Sequence, residues 1–233
     1  YNRIPLRPVV LGGDDLTVIC RADFAIEYVT AFMRQFEVQT EKFLGGILEK
    51  HHVFDNGAKK LTACAGVAFI KSSYPFYYGY ELAEALCSQA KKSAKKLDAS
   101  LAPSCVMFHK VQDSFVEIYA KIEERELTTK EGVSFKYGPY YVDDIACQPT
   151  VSHLLESVKQ LDSDDGNKIK SHLRQWVSAL FVDRQVAEKK KKRVLSKETG
   201  EEEGKASTCK VFAYDMLTLA SIKYQDTKTE ETK

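Results

Sequence analysis

The sequence lacks an excess of either charge: 34 basic and 33 acidic side chains leave a net charge of +1. No global field advertises nucleic acid or an acidic surface, so binding of that kind would need a local patch. Metal-binding spacings are missing too. No Cys-x-x-Cys occurs, and the histidines do not complete a zinc site. The six cysteines, at 20, 64, 87, 105, 147 and 209, read instead as small core filler in a reducing cytoplasm. There is no signal-peptide pattern and no apolar run of membrane-spanning length, so no membrane association is expected. The chain opens at Tyr1 without an initiator methionine, which reads as an excised domain or a chain without a disordered front.

What is present is enough for a sizeable core, since 233 residues suffice for one large domain or a medium one with an appendage. The informative stretch is Leu11-Gly12-Gly13-Asp14-Asp15-Leu16, between apolar runs at Pro8 to Leu11 and Leu16 to Cys20 that read as strands. Glycines supply the backbone freedom of a tight hairpin and leave no side chain in a ligand's way. Asp14 and Asp15 then stand at its tip. Adjacent carboxylates repel each other unless a cation lies between them, which suits Mg²⁺; an ordinary solvated turn uses the same residues.

Along the chain, Asp23 reads as a helix N-cap followed by an apolar stripe of Ala25, Val29, Phe32 and Phe36. Gly45-Gly46 and Asp55-Asn56-Gly57 bracket a less regular stretch with surface histidines His51 and His52. Leu61 to Ile70 is strand-like, with small residues at 63 to 66 that permit a close approach. Leu82, Leu86, Ala90 and Ala94 mark a helix whose C-terminal end gathers Lys91, Lys92, Lys95 and Lys96, lysines that the helix dipole alone would favour. Ser104 to His109 reads as a strand, Asp113-Ser114 as the start of a helix to about Arg125, and Glu126 to Tyr137 as a hairpin. This order suits a mixed sheet with helices on it.

Beyond Pro149 the pattern turns helical, with stripes at Val151 to Leu161 and Ile169 to Phe181, the second after an Asn167 cap. Asp162-Ser163-Asp164-Asp165-Gly166 has the glycine of a calcium loop one place early and Leu173 where its glutamate belongs, so it reads as a capping turn. Lys189 to Arg193 beside Glu201 to Glu203 reads as a solvated linker rather than an RNA contact, and Val211 to Tyr224 as a last helix. The expected division is 1–148, 149–185, 186–208 as linker, 209–224 as helix and 225–233 as disordered tail.

Gly12-Gly13-Asp14-Asp15 between two strands resembles the palm signature of the large polymerase/cyclase subunit in type III CRISPR effector complexes, whose fold is shared with GGDEF diguanylate cyclases. Ala65 to Ile70 with Tyr74-Pro75, Tyr80-Glu81-Leu82-Ala83-Glu84 leading to Ala90-Lys91, and Phe108 to Val111 with Asp113-Ser114-Phe115 resemble further palm motifs in the same order. Arg125-Glu126-Leu127 and Tyr137-Gly138-Pro139-Tyr140 are similar to relatives with a helical tail.

The resemblance implies an α+β, ferredoxin-like palm, an antiparallel sheet with helices on one side that lacks its first strand, followed by a small helical region. It implies binding of nucleoside triphosphates with two divalent cations, Mg²⁺ or Mn²⁺, and their joining by 3′-hydroxyl attack on an α-phosphate. Asp14 and Asp15 would be the catalytic and metal-holding residues, and Gly12, Gly13, Lys91 and Lys92 would meet the nucleotide. The family's first palm strand carries a further carboxylate not found in this sequence, so part of the metal site is expected from outside this chain. RNA-guided effector subunits are the implied partners and antiviral defence in the cytoplasm the implied setting. Two other readings stay open: a palm that binds nucleotide or RNA without turnover, and a scaffold that keeps only the fold.

Overall fold

The computed structural model describes residues 6–112, 118–132, 134–163, 166–182, 186–187, 190 and 206–226, with side chains in the last stretch described from 212 to 222. The class is α+β, with two small sheets and six α-helices among the described residues. Strands β1 (Leu6–Gly12) and β2 (Asp15–Cys20) form the glycine hairpin. A register shift between Pro8 and Val10 falls beside a residue that cannot donate to a ladder, as an edge strand tolerates. A single 3₁₀ turn, Ala22–Phe24, leads into α1 (Ala25–Lys50).

The second sheet holds β3 (Cys64–Phe69), β4 (Cys105–Lys110) and the two-residue β5 (Tyr140–Tyr141), in that order. The sheet expected to be antiparallel contains a parallel pair, because α2 (Phe76–Leu97) carries the chain across between β3 and β4. Among the described residues only β5 runs antiparallel to β4. Helices cover both faces of this sheet, not one. Leu82, Leu86, Ala90 and Ala94 of α2 pack with Cys105, Met107 and Tyr141 on one side. Phe69, Val106 and Tyr140 face a larger core on the other, shared with Ala25, Ile26 and Met33 of α1 and with the C-terminal helices. Alternation along the strands dictates this split, since neighbouring side chains point to opposite faces. Among the described residues no ladder joins the hairpin to the three-stranded sheet, and Val9, Val10, Leu11 and Ile19 are exposed on the hairpin.

Gly66 sets the seat of α2. A β-carbon there would fall on the Ala83 carbonyl and within 2.5 Å of the Cys87 amide nitrogen, so the absent side chain lets strand and helix backbones touch. Cys87 Sγ completes the contact by donating to the Cys64 carbonyl at 3.3 Å.

Several local expectations are corrected. Asp23 does not cap α1: it sits in the 3₁₀ turn and binds Arg21, whose Nε donates to Oδ1 at 2.9 Å. The helix continues through Gly45-Gly46, and its buried face runs through Ile26, Met33, Glu37 and Thr40. Phe32 is exposed within an aromatic ladder of Phe24, Tyr28, Phe32 and Phe36, whose i,i+4 contacts hold it along the helix. Buried Glu37 and Thr40 are met from outside the helix, Glu37 Oε2 accepting from Lys60 Nζ at 2.5 Å and Thr40 Oγ1 from the Leu61 amide at 3.0 Å. The expected hairpin after Glu126 shrinks to one bridge, Thr128 to Ser134, because α3 (Tyr119–Glu126) takes up its first residue.

In the C-terminal part, α4 (Val151–Leu161) is capped by Thr150 Oγ1, which accepts from the His153 amide at 3.3 Å. Helix α5 (Gly166–Val182) starts one residue before the expected Asn167 cap, with Ser163 Oγ accepting from the Gly166 amide. Asp162 of the preceding turn pairs with buried Lys170 at 2.9 Å. Helix α6 (Ala206–Asp226) returns onto the core through Phe212, Tyr214 and Leu219, and Phe135 stacks on Phe181 at 4.9 Å beneath it. The start expected at Asp113-Ser114, most of the Lys189 to Arg193 run, Glu201 to Glu203 and residues 227–233 lie outside the described residues.

Candidate nucleotide and metal site

The hairpin closes through a two-residue turn, Gly13-Asp14, with Gly12 opposite Asp15. Gly13 has φ +61° while Asp14 is not in the left-handed region, the pattern of a turn with glycine at its first central position. Both aspartates are exposed. Asp14 belongs to the turn and Asp15 to the first position of β2, so the two carboxylates occupy the same tip. Nothing stands within 4 Å of where a β-carbon on Gly12 or Gly13 would lie, so the approach to the backbone is open.

The thiol of Cys87, which burial pushes up, is also raised by Asp15 and lowered by Lys91, so an aspartate of the hairpin and a lysine of α2 both lie within electrostatic reach of one side chain. Lys91 and Lys95 together help to draw the neighbouring Cys64 thiol below its ordinary value, a shift due first to its hydrogen bond with Cys105. The pair lies side by side in register on β3 and β4, with sulfurs 3.8 Å apart. Lys92 is exposed one residue further on, turned about 100° around the helix from Lys91. Lys95 is the residue that reading for the helix dipole passed over: its i,i+4 relation to Lys91 puts both on one face.

The donor set can be weighed against a divalent cation. Two carboxylates are hard oxygen ligands, and Mg²⁺ is commonly held by one or two of these together with substrate phosphates and water. The tip fits such an ion in kind. Among the described residues no group of three or more His, Cys, Asp or Glu side chains is gathered closely enough to hold a metal by itself.

Also among the described residues, no helix is long and apolar enough to cross a membrane. No curated protein matches the chain. Residues 5–100 match the family model of the Cas10/Cmr2 second palm domain, a span that contains the hairpin, α1, β3 and α2. The stretch from residue 5 to residue 100 is therefore a palm module of the type III CRISPR kind, the family its motifs resemble.

Proposed function

We propose that this palm is a nucleotidyltransferase that binds nucleoside triphosphates with Mg²⁺ or Mn²⁺ and makes cyclic or linear oligonucleotides for antiviral defence. The observation that carries the reading is the exposed Asp14-Asp15 tip within the matched stretch, with Asp15 and Lys91 of α2 both within electrostatic reach of Cys87. Asp14 and Asp15 are the residues to hold the cation. A cation bound there supplies charge neutralisation at the phosphates and acidifies an attacking 3′-hydroxyl. The open backbone at Gly12 and Gly13 lets a nucleotide lie against the turn, and Lys91 and Lys92 provide positive charge for triphosphate oxygens. The remaining ligands come from outside this chain, and RNA-guided effector subunits in the cytoplasm are the proposed partners.

The partial donor set favours a second reading, a palm that binds nucleotide without turning it over. The two separate in one assay, in which the longest natural version of the protein is incubated with ATP or GTP and Mg²⁺ or Mn²⁺ beside an Asp14→Ala/Asp15→Ala variant. Oligonucleotide product from the first and not the second supports the enzyme. Saturable binding without product supports the second reading, and neither product nor binding removes both.

A further inference from the structure

A cavity of about 640 Å³ opens at the carboxyl ends of the parallel strands β3 and β4, under α5 and α6. Its wall brings together Lys71 and Lys110, which follow or end those strands, and Arg174 of α5. Among the described residues none of the three has a carboxylate at ion-pair distance. Asp23, the acidic residue on the wall, is engaged by Arg21. Lys110 is half-buried, and its Nζ donates to Ser221 Oγ at 2.8 Å, which in turn donates to the Thr218 carbonyl. Burial and the neighbouring charge of Lys71 hold the Lys110 ammonium below its ordinary value, as expected where positive charge gathers without compensation. The same cavity is also lined by apolar residues, among them Phe69, Val177, Leu217 and Ile222.

We propose that this cavity binds a small phosphorylated ligand of nucleotide type, its phosphates on Lys71, Lys110 and Arg174 and its ring against the apolar lining residues. The volume lies within the range of small-ligand sites. Guanidinium and ammonium groups are the side chains that recognise phosphate, and the carboxyl ends of parallel strands are where open sheets hold ligands. The site is separate from the acidic tip. Asp15 begins β2 near Cys87, whereas the cavity meets the chain just beyond the other end of β2, at Ala22 and Asp23. Six strand residues span roughly 17 Å between those ends. Two of its walls come from α5 and α6, beyond the matched palm stretch, so a ligand there would tie the palm to the helical region.

The test is calorimetric titration with ADP in EDTA, which removes metal-dependent binding at the hairpin. Wild type and Asp14→Ala/Asp15→Ala are expected to bind equally. The exposed pair Lys71→Ala/Arg174→Ala is expected to weaken binding tenfold or more with an unchanged circular-dichroism spectrum. Absence of saturable binding by wild type to 5 mM ADP, about the limit of weak small-ligand affinity, would overturn the proposal. So would equal binding by the Lys71/Arg174 variant, loss in the aspartate variant, or tighter binding of a single-stranded oligonucleotide than of ADP. Lys110→Gln gives a second reading at the same site: weakened ADP binding in a folded variant supports it, and unchanged affinity contradicts it.

Discussion

Tyr140 Oη donates a 2.6 Å hydrogen bond to Asp215 Oδ2, joining the short strand β5 to helix α6. Around it Tyr137 and Tyr140 meet Phe212, so the helix docks through aromatic contact as well as through this bond. Burial pushes the Asp215 carboxyl up to about 7 from its ordinary 3.8, although the Tyr140 bond acts in the opposite sense.

The sign of the pH effect follows. A carboxyl whose value is higher folded than unfolded contributes stability fully below about pH 4, and that contribution is lost as pH rises toward about 7. The unfolding free energy of the wild type relative to Asp215→Asn, from urea titrations, should therefore fall across this window by an amount on the order of a few kcal/mol. A constant difference between the two proteins over that range would contradict the shift. Tyr140→Phe leaves the carboxylate without its donor and should cost about 1–2 kcal/mol.

Gly66→Ala and Gly46→Ala should move stability in opposite directions. The first drives a methyl group into the α2 backbone and should cost on the order of 2–3 kcal/mol. The second adds a methyl group where nothing stands within 4 Å, inside a helix, and should gain up to about 1 kcal/mol. Denaturant unfolding of both variants checks the seat of α2 on β3.

Lys91 and Lys95 should be readable through a thiol. Both help to hold Cys64 below its ordinary value, so Lys91→Ala/Lys95→Ala should slow alkylation of Cys64 near neutral pH. Lys92→Ala should leave that rate unchanged. Alkylation followed by peptide mass analysis, with rates taken across pH, distinguishes the two faces of α2.

The hairpin and α2 were legible because local chemistry alone dictates them: glycine at a tight turn, and Leu82, Leu86, Ala90 and Ala94 at helical spacing. The face of α1 was not. Its buried positions include Glu37 and Thr40, whose partners Lys60 and Leu61 arrive from a later segment, while Phe32 is free to remain exposed. Tyr140 and Tyr141 show no alternating run, and they become a strand by pairing with β4 across more than thirty residues. At the site, Asp14 and Asp15 are named by sequence, but Lys95 is distinguished from its neighbours only once Cys64 lies beneath the helix. The basic cavity is assembled from strand ends and helices far apart in the chain, so no local pattern announces it.

The most direct test of the acidic tip is Mn²⁺ binding followed by electron paramagnetic resonance in the presence of ATP. Wild type should convert free Mn²⁺ signal to bound in an ATP-dependent manner. Asp14→Ala/Asp15→Ala should weaken this by about tenfold or more, the loss expected on removing charged oxygen ligands. Equal Mn²⁺-ATP binding by the two proteins would contradict the assignment of the Gly12 to Asp15 hairpin as the metal-holding site.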